Sequence, residues 1–272
     1  MEKYSVLMSV YAKEKSEYLQ ESMDSMFSQT VPTDDFVLVC DGPLTKELDF
    51  IIDQMKQKYP KILHVVKLKK NVGLGNALKE GIGHCKNELI ARMDSDDISY
   101  PNRCERQLLE FKKNAKLDIV SGTIEEFQIS PKKITGKRVL PITYRDILQF
   151  SKKRNPFNHM AVMYRKSSVI KAGNYSEEYH LFEDYFLWIK MLMNGCKAKN
   201  IDASLVLVRM PLHAYRRRGG KIYAKDMLRF HSWMYKIGWI NWMDFFTGAI
   251  PHAIICILPI RMRKRIYEKV RG

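Results

Sequence analysis

The sequence has few cysteines, and none of them is arranged for metal binding. Only five of its 272 residues are cysteines, an odd number without a Cys-x-x-Cys pair. This spacing excludes a zinc ribbon and argues against a disulfide scaffold, so we expect buried, reduced thiols. The chain also lacks a Gly-x-Ser-x-Gly segment and a Cys/His signature. Hydrolysis through an acyl-enzyme is therefore not expected.

The amino-terminal residues lack a targeting signal. Residues 1–6 read MEKYSV, without the basic stretch and apolar run of a signal peptide, so we expect none and a cytosolic location. Apolar residues make up 46% of the chain and charged residues 28%, which is enough for a core and argues against disorder. At about 100–200 residues per domain, the length predicts one large domain or one domain with an appendage.

Acidic residues are scarce in the last quarter of the chain. Residues 209–272 contain 14 basic and 3 acidic side chains, a net charge of +11, whereas residues 1–208 carry a net charge of only +5. Such a basic segment is compatible with nucleic-acid binding and with an anionic membrane surface. The chain has no helix-turn-helix, RNP or zinc-finger pattern. We therefore expect a membrane surface and no nucleic acid as its partner.

Short apolar runs alternate with helical segments over the first half of the chain. The runs cover residues 4–11, 36–40, 62–68 and 89–93, and the helical segments cover 16–29, 45–59, 74–85 and 101–114. Runs this apolar are typical of strands buried on both faces, so the pattern predicts a Rossmann-like, mostly parallel sheet flanked by helices. Later strands are predicted at 119–122, 124–129 and 160–164, and a helix at 185–194.

A long apolar run precedes the basic carboxyl-terminal residues. Residues 238–260 read GWINWMDFFTGAIPHAIICILPI and are followed by RMRKR. The run is long enough to span a bilayer, but Asp244, Pro251 and Pro259 interrupt it. Tryptophans beside a basic flank favour a pair of interfacial helices. A core-packed helix and a spanning helix are the alternatives.

Carboxylates follow two of the predicted strands, at the edge where open α/β sheets bind ligands. Asp41 follows the second strand, and Asp94-Ser95-Asp96-Asp97 follows the fourth. A single aspartate there can simply cap a turn, which for Asp41 alone is the simpler explanation. Three carboxylates within four residues repel one another unless a cation neutralises them. The second group therefore predicts a Mg²⁺ or Mn²⁺ site shared with a phosphate.

Three further segments carry functional side chains that also have a structural explanation. The Gly73-Leu74-Gly75 turn after Asn71 either needs positive φ or lets the backbone approach a nucleotide. Glu183-Asp184 opens a helix, where Asp184 is either an N-cap or a general base. Residues 216–218 are three arginines followed by two glycines, either a solvated face or a loop that closes over a diphosphate.

The order of these motifs resembles family-2 glycosyltransferases of the GT-A fold. The closest resemblance is to the bacterial branch that builds capsule, exopolysaccharide and O-antigen repeat units, the amylovoran-type transferases. The motifs that carry it are SVLMSVY at 5–11, DG at 41–42, NVGLGNA at 71–77, ARMDSDD at 91–97, RNPFNHM at 154–160, EDY at 183–185 and RRGG at 217–220. The resemblance covers nearly the whole chain and implies an inverting hexosyltransferase.

The resemblance also implies roles for individual residues. Nucleotide-sugar binding is implied for Val10, Tyr11, Asp41, Asn71, Gly75, Arg92, Asp94, Ser95, Asp97, Arg217 and Arg218. Asp41 would bind the uracil, and Asp96 would hold the Mn²⁺ or Mg²⁺ that bridges the diphosphate. Asp184 would be the base, with Glu183 as the alternative. Arg154, Asn158 and His159 would line the acceptor, with core packing of residues 156–162 as the alternative.

The same reasoning divides the chain and names its partners. We expect a GT-A catalytic domain at 1–212, with a nucleotide-binding half at 1–115 and an acceptor-binding half at 116–212. Residues 213–272 would form a basic loop and a helical membrane-associating extension. The resemblance implies UDP-glucose or UDP-galactose as donor and an N-acetylhexosamine on a polyprenyl diphosphate as acceptor, at the inner face of the plasma membrane. A sugar nucleotidyltransferase, a basic membrane- or nucleic-acid-binding protein and an inactive scaffold are the alternatives; the oligomeric state is left open.

Overall fold

The computed structural model describes residues 2–179, 181–210, 219–259, 262–263 and 266. Within them, nine strands form one sheet: β1 Tyr4–Val10, β2 Asp35–Cys40, β3 Leu63–Lys67, β4 Leu89–Asp94, β5 Ile98–Ser99, β6 Leu117–Phe127, β7 Ile134–Arg138, β8 Met163–Arg165 and β9 Lys197–Arg209. The α-helices are α1 Ser16–Phe27, α2 Lys46–Lys58, α3 Leu74–His84, α4 Arg103–Lys113, α5 Tyr144–Phe150, α6 Lys166–Lys171, α7 Glu183–Met193, α8 Lys221–Lys236, α9 Trp242–Asp244 and α10 Ile250–Ile257. A 3₁₀ helix spans His159–Ala161, and a π-helical segment spans Phe245–Ala249.

The first four strands form the predicted parallel sheet, in the order β3-β2-β1-β4. Their register aligns the carboxyl ends, since Ser9 of β1 pairs with Asp94 of β4 and Val10 pairs with Cys40 of β2. Asp41 directly follows Cys40. The two carboxylate motifs therefore start from the same edge of the sheet.

The second half of the chain extends this sheet through β8-β6-β9-β5, with β7 on the side of β6. Strand β8 runs antiparallel to both β4 and β6, while β6 and β9 are parallel. Strand β5 follows the Asp94–Asp97 turn directly and pairs with β9 through Ile98 and Leu207. This pairing brings the end of β9 beside the carboxylates.

Several elements of the second half differ from the sequence predictions. The two strands predicted at 119–129 are one strand, β6, and the strand predicted at 160–164 is a 3₁₀ helix followed by β8. Strand β9 was not predicted because its first half, KAKNIDA, is polar. Pairing with β6, rather than an apolar pattern, holds this segment in the sheet.

Alternate side chains of the central strands enter two cores on opposite faces of the sheet. Val6 and Met8 of β1 join the core beneath helices α1, α2 and α4, whereas Leu7 joins the core beneath α3, α6 and α7. This alternation is the period of two that an extended strand imposes. All five cysteines are buried and free, which confirms the expectation of reduced thiols.

A third core joins the carboxyl-terminal helices to α7. Phe182 before α7 stacks on Phe230 of α8 at a centroid distance of 5.3 Å, and Ala253 and Cys256 of α10 complete the cluster. The helical extension therefore packs directly on the helix that carries Glu183 and Asp184, while the division of the chain after residue 212 stays a prediction. No helix in the described parts of the chain has both the length and the apolar character needed to cross a membrane.

Gly81 provides a test of how tightly α3 packs on the sheet. A Cβ at this position would lie 2.4 Å from Leu7 Cδ1 and 2.7 Å from Val39 Cγ2, whereas a Cβ at Gly83 would meet nothing within 4 Å. We expect Gly81→Ala to lower the free energy of unfolding by about 1–3 kcal/mol through overpacking. Gly83→Ala, on the same helix, should raise it by about 0.5–1 kcal/mol. Urea unfolding of both variants checks this, and equal effects would contradict the packing.

Candidate active site at the carboxyl edge of the sheet

The three carboxylates after β4 converge, as the sequence predicts. One carboxylate oxygen from each of Asp94, Asp96 and Asp97 lies within 4.8 Å of the other two. The pKa of Asp97 is raised well above its usual range, first by burial and then by the like charges of Asp96 and Asp94. The cluster therefore holds more negative charge than its surroundings compensate.

Arg209, at the end of β9, closes one side of this cluster and was not predicted. Its main-chain N–H donates to Asp97 Oδ1 at 2.8 Å, and its Nε donates to the main-chain oxygen of Asp96 at 3.1 Å. Its guanidinium also pairs with Glu21 and lies 3.8 Å from the ring centroid of Tyr18. No local motif could reveal these contacts, because they join residues that are 112 and 113 positions apart.

Arg92, two residues before Asp94, lies on the other side of the cluster. Only 1% of its surface is exposed, and its Nη2 forms an ion pair with Asp94 Oδ1 at 2.5 Å. Its Nε and Nη1 are buried without a hydrogen-bond partner among the described residues. The resemblance implies that Arg92 contacts a nucleotide-sugar. The guanidinium that would make this contact is enclosed by the folded chain.

Asp184 lies in the first turn of α7, as predicted, and faces inward. Its Oδ2 accepts a hydrogen bond from Asn155 Nδ2 at 2.6 Å, and its Oδ1 accepts one from the main-chain N–H of Tyr185 at 2.7 Å. Burial raises the pKa of Asp184, while these two hydrogen bonds and the charges of Arg92 and Arg138 oppose the rise. The N-cap is Phe182, so the capping alternative for Asp184 is wrong.

Glu183 points toward α3 instead. A Cβ at Gly75 would lie 3.5 Å from Glu183 Cβ and also 3.5 Å from the main-chain oxygen of Ser176. Gly75 thus allows the first turn of α3 to pack beside the start of α7. The expected approach of Gly75 to a nucleotide stays a prediction. The charge of Arg92 acts on the pKa of Asp184.

Asp41 holds together the turns that follow β2 and β3. Its two carboxylate oxygens accept hydrogen bonds from the main-chain N–H groups of Val72 and Gly73 at 2.7 and 3.1 Å, and Asn71 Nδ2 donates to its main-chain oxygen at 3.2 Å. Gly73 has φ +86°, as the sequence predicts for this turn. Gly42 also has positive φ, and a Cβ there would lie 2.6 Å from the main-chain nitrogen of Asn71.

The other predicted donor residues lie around this edge. Val10 is buried at the end of β1, and the next residue, Tyr11, is exposed. Ser95 is buried and donates to Glu14 Oε2 at 3.1 Å. Arg217 and Arg218 lie outside the described residues, so their proposed contact with a diphosphate stays a prediction.

The predicted acceptor residues have three different environments. Arg154 is exposed. His159 Nε2 lies 2.7 Å from the Tyr175 hydroxyl, and desolvation, followed by the charge of Arg92, holds its pKa well below the usual range. Asn158 is fully buried, and its Nδ2 donates to the main-chain oxygen of Gly122 at 2.8 Å. The geometry of Asn158 therefore fits the core-packing alternative better than contact with an acceptor.

The chain matches a known family over most of its length. Residues 5–172 match the family described as "Glycosyl transferase family 2". The UDP-Gal:alpha-D-GlcNAc-diphosphoundecaprenol beta-1,3-galactosyltransferase of Escherichia coli is 38% identical over 268 residues, with 98% of this chain and 96% of that protein covered. The amylovoran biosynthesis glycosyltransferase AmsE of Erwinia amylovora is 34% identical over 272 residues, with 98% and 99% covered. The chain therefore belongs to glycosyl transferase family 2.

Solved structures share the fold. Mannosyltransferase PcManGT from Pyrobaculum calidifontis, in complex with GDP-Man and Mn²⁺, has a TM-score of 0.66 at 16% identity, with 93% of this chain and 69% of that chain covered. S. aureus TarS 1–349, in complex with UDP-GlcNAc, has a TM-score of 0.64 at 18% identity, with 84% and 65% covered. The chain covers 50% of a longer TarS structure. These likenesses confirm the predicted GT-A fold.

The structural role of Asp41 can be tested by comparing Asp41→Asn with the same substitution at Asp49, whose side chain is 41% exposed. Asp41→Asn replaces one accepting oxygen by an NH₂ group that would face a main-chain N–H, so we expect a loss of about 1–3 kcal/mol in the free energy of unfolding. Asp49→Asn removes a partly exposed ion pair with Lys67 and one negative charge from the first turn of α2, and it should cost about 1 kcal/mol or less. Denaturant unfolding measures both. A smaller loss for Asp41→Asn than for Asp49→Asn would contradict the role of Asp41 in joining the two turns.

Proposed function

We propose that this protein is a metal-dependent, inverting hexosyltransferase that moves a hexose from a UDP-sugar to a lipid-diphosphate-linked saccharide during surface polysaccharide repeat-unit assembly. The observation that carries the proposal is the convergence of three carboxylates at the sheet edge, one of which pairs with the buried Arg92. The names of the Escherichia coli and Erwinia amylovora relatives support the substrate class. Family membership favours this function over a nucleotidyltransferase or a nucleic-acid-binding protein.

The residues after β4 fit a divalent cation. Hard ions such as Mn²⁺ and Mg²⁺ prefer carboxylate oxygens. Burial, followed by the like charges of Asp96 and Asp94, raises the pKa of Asp97, and a cation would relieve that repulsion. We assign Asp96 as the metal ligand, with Asp94 and Asp97 supporting the donor or the ion. A bound ion would neutralise charge on the diphosphate leaving group. Val10, Tyr11, Asp41 and the turn after β3 would enclose the nucleoside.

Asp184 is suited to act as the general base. It would take the proton from an acceptor hydroxyl, whose oxygen then forms a bond to the anomeric carbon while the bond to UDP breaks on the opposite face. This single displacement inverts the anomeric centre and leaves UDP with the bonding electrons. Asn155 would hold the carboxylate in place, since it donates to the oxygen that does not bond Tyr185. Arg154 and His159 would lie on the acceptor side.

The base is tested by two isosteric substitutions. We expect Asp184→Asn to lower kcat about 10²–10⁴-fold, because the amide cannot accept the proton, and to leave UDP binding unchanged. Glu183→Gln is the matched control on the adjacent residue and should retain most of the activity. Steady-state kinetics and calorimetric titration with UDP measure the two effects. Near-normal transfer by Asp184→Asn would remove Asp184 as the base.

The substrates are tested by one panel of reactions. UDP-sugars are offered to the purified chain with a GlcNAc-diphosphate-lipid acceptor, in Mn²⁺ and in EDTA, and products are read by mass spectrometry. We expect the acceptor to gain one hexose, with release of UDP, only when Mn²⁺ or Mg²⁺ is present. Release of pyrophosphate would indicate a nucleotidyltransferase, and transfer in EDTA would exclude metal dependence. Asp96→Ala should lose metal-dependent binding of UDP.

We also propose that the carboxyl-terminal helices attach the enzyme peripherally to the cytoplasmic face of the plasma membrane. One side of the segment from α9 to α10 faces α8 through Ala249, Ala253 and Cys256. The other side exposes large apolar side chains: Trp242, Met243, Phe246, Ile254 and Ile257. An exposed apolar face next to basic residues fits an anionic lipid surface. Arg263 is excluded from that surface, since it is buried and donates to the main-chain oxygen of Cys256.

The location of this apolar face supports a lipid-linked acceptor. A Cβ at Gly248, in the π-helical segment, would lie 3.9 Å from Lys153 Cγ. Burial, followed by the charges of His231 and Arg154, lowers the pKa of His252 in α10 to about 4. Lys153 and Arg154 directly precede Asn155, which holds Asp184. The apolar face thus adjoins the loop that positions the candidate base.

Membrane attachment is tested with vesicles. Exposed fractions of 62% for Trp242 and 58% for Phe246 make both accessible to lipid. We expect Trp242→Ser combined with Phe246→Ser to weaken binding to phosphatidylglycerol vesicles about tenfold or more, because each buried aromatic contributes about 1.5–3 kcal/mol. Phe50→Ser on α2 is the control, since Phe50 is 61% exposed but lies on the opposite face of the sheet from α7. Vesicle co-sedimentation measures the change, and equal binding by all variants would contradict the proposed face.

A further inference from the structure

The buried guanidinium of Arg92 interacts with both acidic segments of the site. It pairs with Asp94 at 2.5 Å. Its charge also opposes the rise in the pKa of Asp184. Burial raises the pKa of the neighbouring Tyr175 hydroxyl, while the charge of Arg92 lowers it and the charges of Asp184 and Asp94 raise it. One enclosed cation therefore touches the donor side of the site and acts on the candidate base.

The position of Arg92 is enforced by the core of the sheet. Its main-chain N–H donates to the oxygen of Val162 at 3.0 Å. Its main-chain oxygen accepts from Nη2 of a second buried arginine, Arg103, at 2.6 Å. The enclosed guanidinium is costly to desolvate, and only opposite charge close by offsets that cost. Since Nε and Nη1 have no hydrogen-bond partner in the described chain, the attraction between Nη2 and Asp94 is the main compensation.

We propose that Arg92 is a positioning residue for sugar transfer, which orients the Asp94 carboxylate and keeps the Asp184 carboxylate available as a base, without touching the donor itself. The inference rests on the proposed function. It replaces the direct nucleotide-sugar contact that the resemblance implies for this residue. Arg92 acts on the reaction through two aspartates, because it pairs with Asp94 and its charge acts on Asp184.

Other charged and polar groups also face Asp184, so the effect of Arg92 must be separated from theirs. They are Arg138 on β7, Asn155 before the 3₁₀ helix, Tyr175 after α6 and the main-chain N–H of Tyr185 on α7. All of them are present in an Arg92 variant. A change in that variant can therefore be assigned to the guanidinium.

The kinetic test compares Arg92→Met and Arg92→Lys with Arg103→Met. Removal of the Arg92 charge should raise the pKa of Asp184, so the acid limb of the kcat profile should move to higher pH. Because Arg92 supports the site without touching the donor, Arg92→Met should lower kcat about 10–100-fold. The donor KM should change less than threefold. Arg92→Lys keeps the charge but not the planar fork, so it should lower kcat about tenfold while the acid limb stays at its original pH.

Arg103→Met is the matched control. Arg103 is equally buried, but its guanidinium bonds main-chain oxygens, Gln107 and Met93 rather than a carboxylate. We expect it to lower the unfolding temperature and to leave the acid limb in place. A rise in donor KM with unchanged kcat would restore Arg92 as a donor contact. If the acid limb of the kcat profile moved equally in Arg92→Met and Arg103→Met, the role of Arg92 would be structural only. If Arg92→Met fails to fold, wild-type kcat in Arg92→Lys would overturn the proposal.

A second readout does not need activity. Carboxyl ¹³C chemical shifts of aspartate-labelled, substrate-free protein follow the titration of Asp184, which is assigned by its absence in Asp184→Asn. We expect Asp184 to titrate at a higher pH in Arg92→Met than in the wild type, and an unchanged titration would refute the proposal. If the wild type transfers no hexose to any acceptor, the proposed function fails, while this measurement still decides whether Arg92 acts on Asp184.

Discussion

The site depends on compensating several buried or half-buried carboxylates with a buried arginine and a main-chain N–H group. Asp94, Asp96 and Asp97 converge because they follow a single buried strand, and their mutual repulsion would oppose folding if nothing balanced it. The charge of Arg92 balances them from within the sheet, and the main-chain N–H of Arg209 at the end of β9 donates to Asp97. Negative charge of this kind suits a divalent cation. Under the proposed function, the same cluster of charges is both a folding constraint and a metal site.

The same constraint explains why the two halves of the chain form one sheet. Strand β5 follows the carboxylate turn and pairs with β9, so Arg209 reaches the cluster only when that pairing forms. Strand β8 joins β4 to β6 and places the segment before it beside α7. Asn155 then meets Asp184. The carboxylates after β4 and the carboxylate at the start of α7 are thus positioned by different halves of one sheet.

The carboxyl-terminal helices are connected to this arrangement through α7. Their aromatic core with Phe182 and Phe186 fixes the start of the helix that carries Asp184. Their opposite side leaves Trp242 and Phe246 exposed. One short segment therefore lies beside the loop that carries Lys153 and presents an apolar face on its other side.

Local pattern determined much of this protein. Apolar runs predicted the parallel strands, and the spacing of Asp94, Asp96 and Asp97 predicted their convergence, because a strand end and its turn place neighbouring residues together. The sequence identified the Glu183-Asp184 pair but did not decide between the two residues. Only the tertiary structure decided that Asp184 accepts a hydrogen bond from Asn155 while Glu183 lies beside Gly75. Arg209, Asn155 and the burial of Arg92 were likewise beyond local pattern, because charge compensation acts through space between strands and helices far apart in the chain.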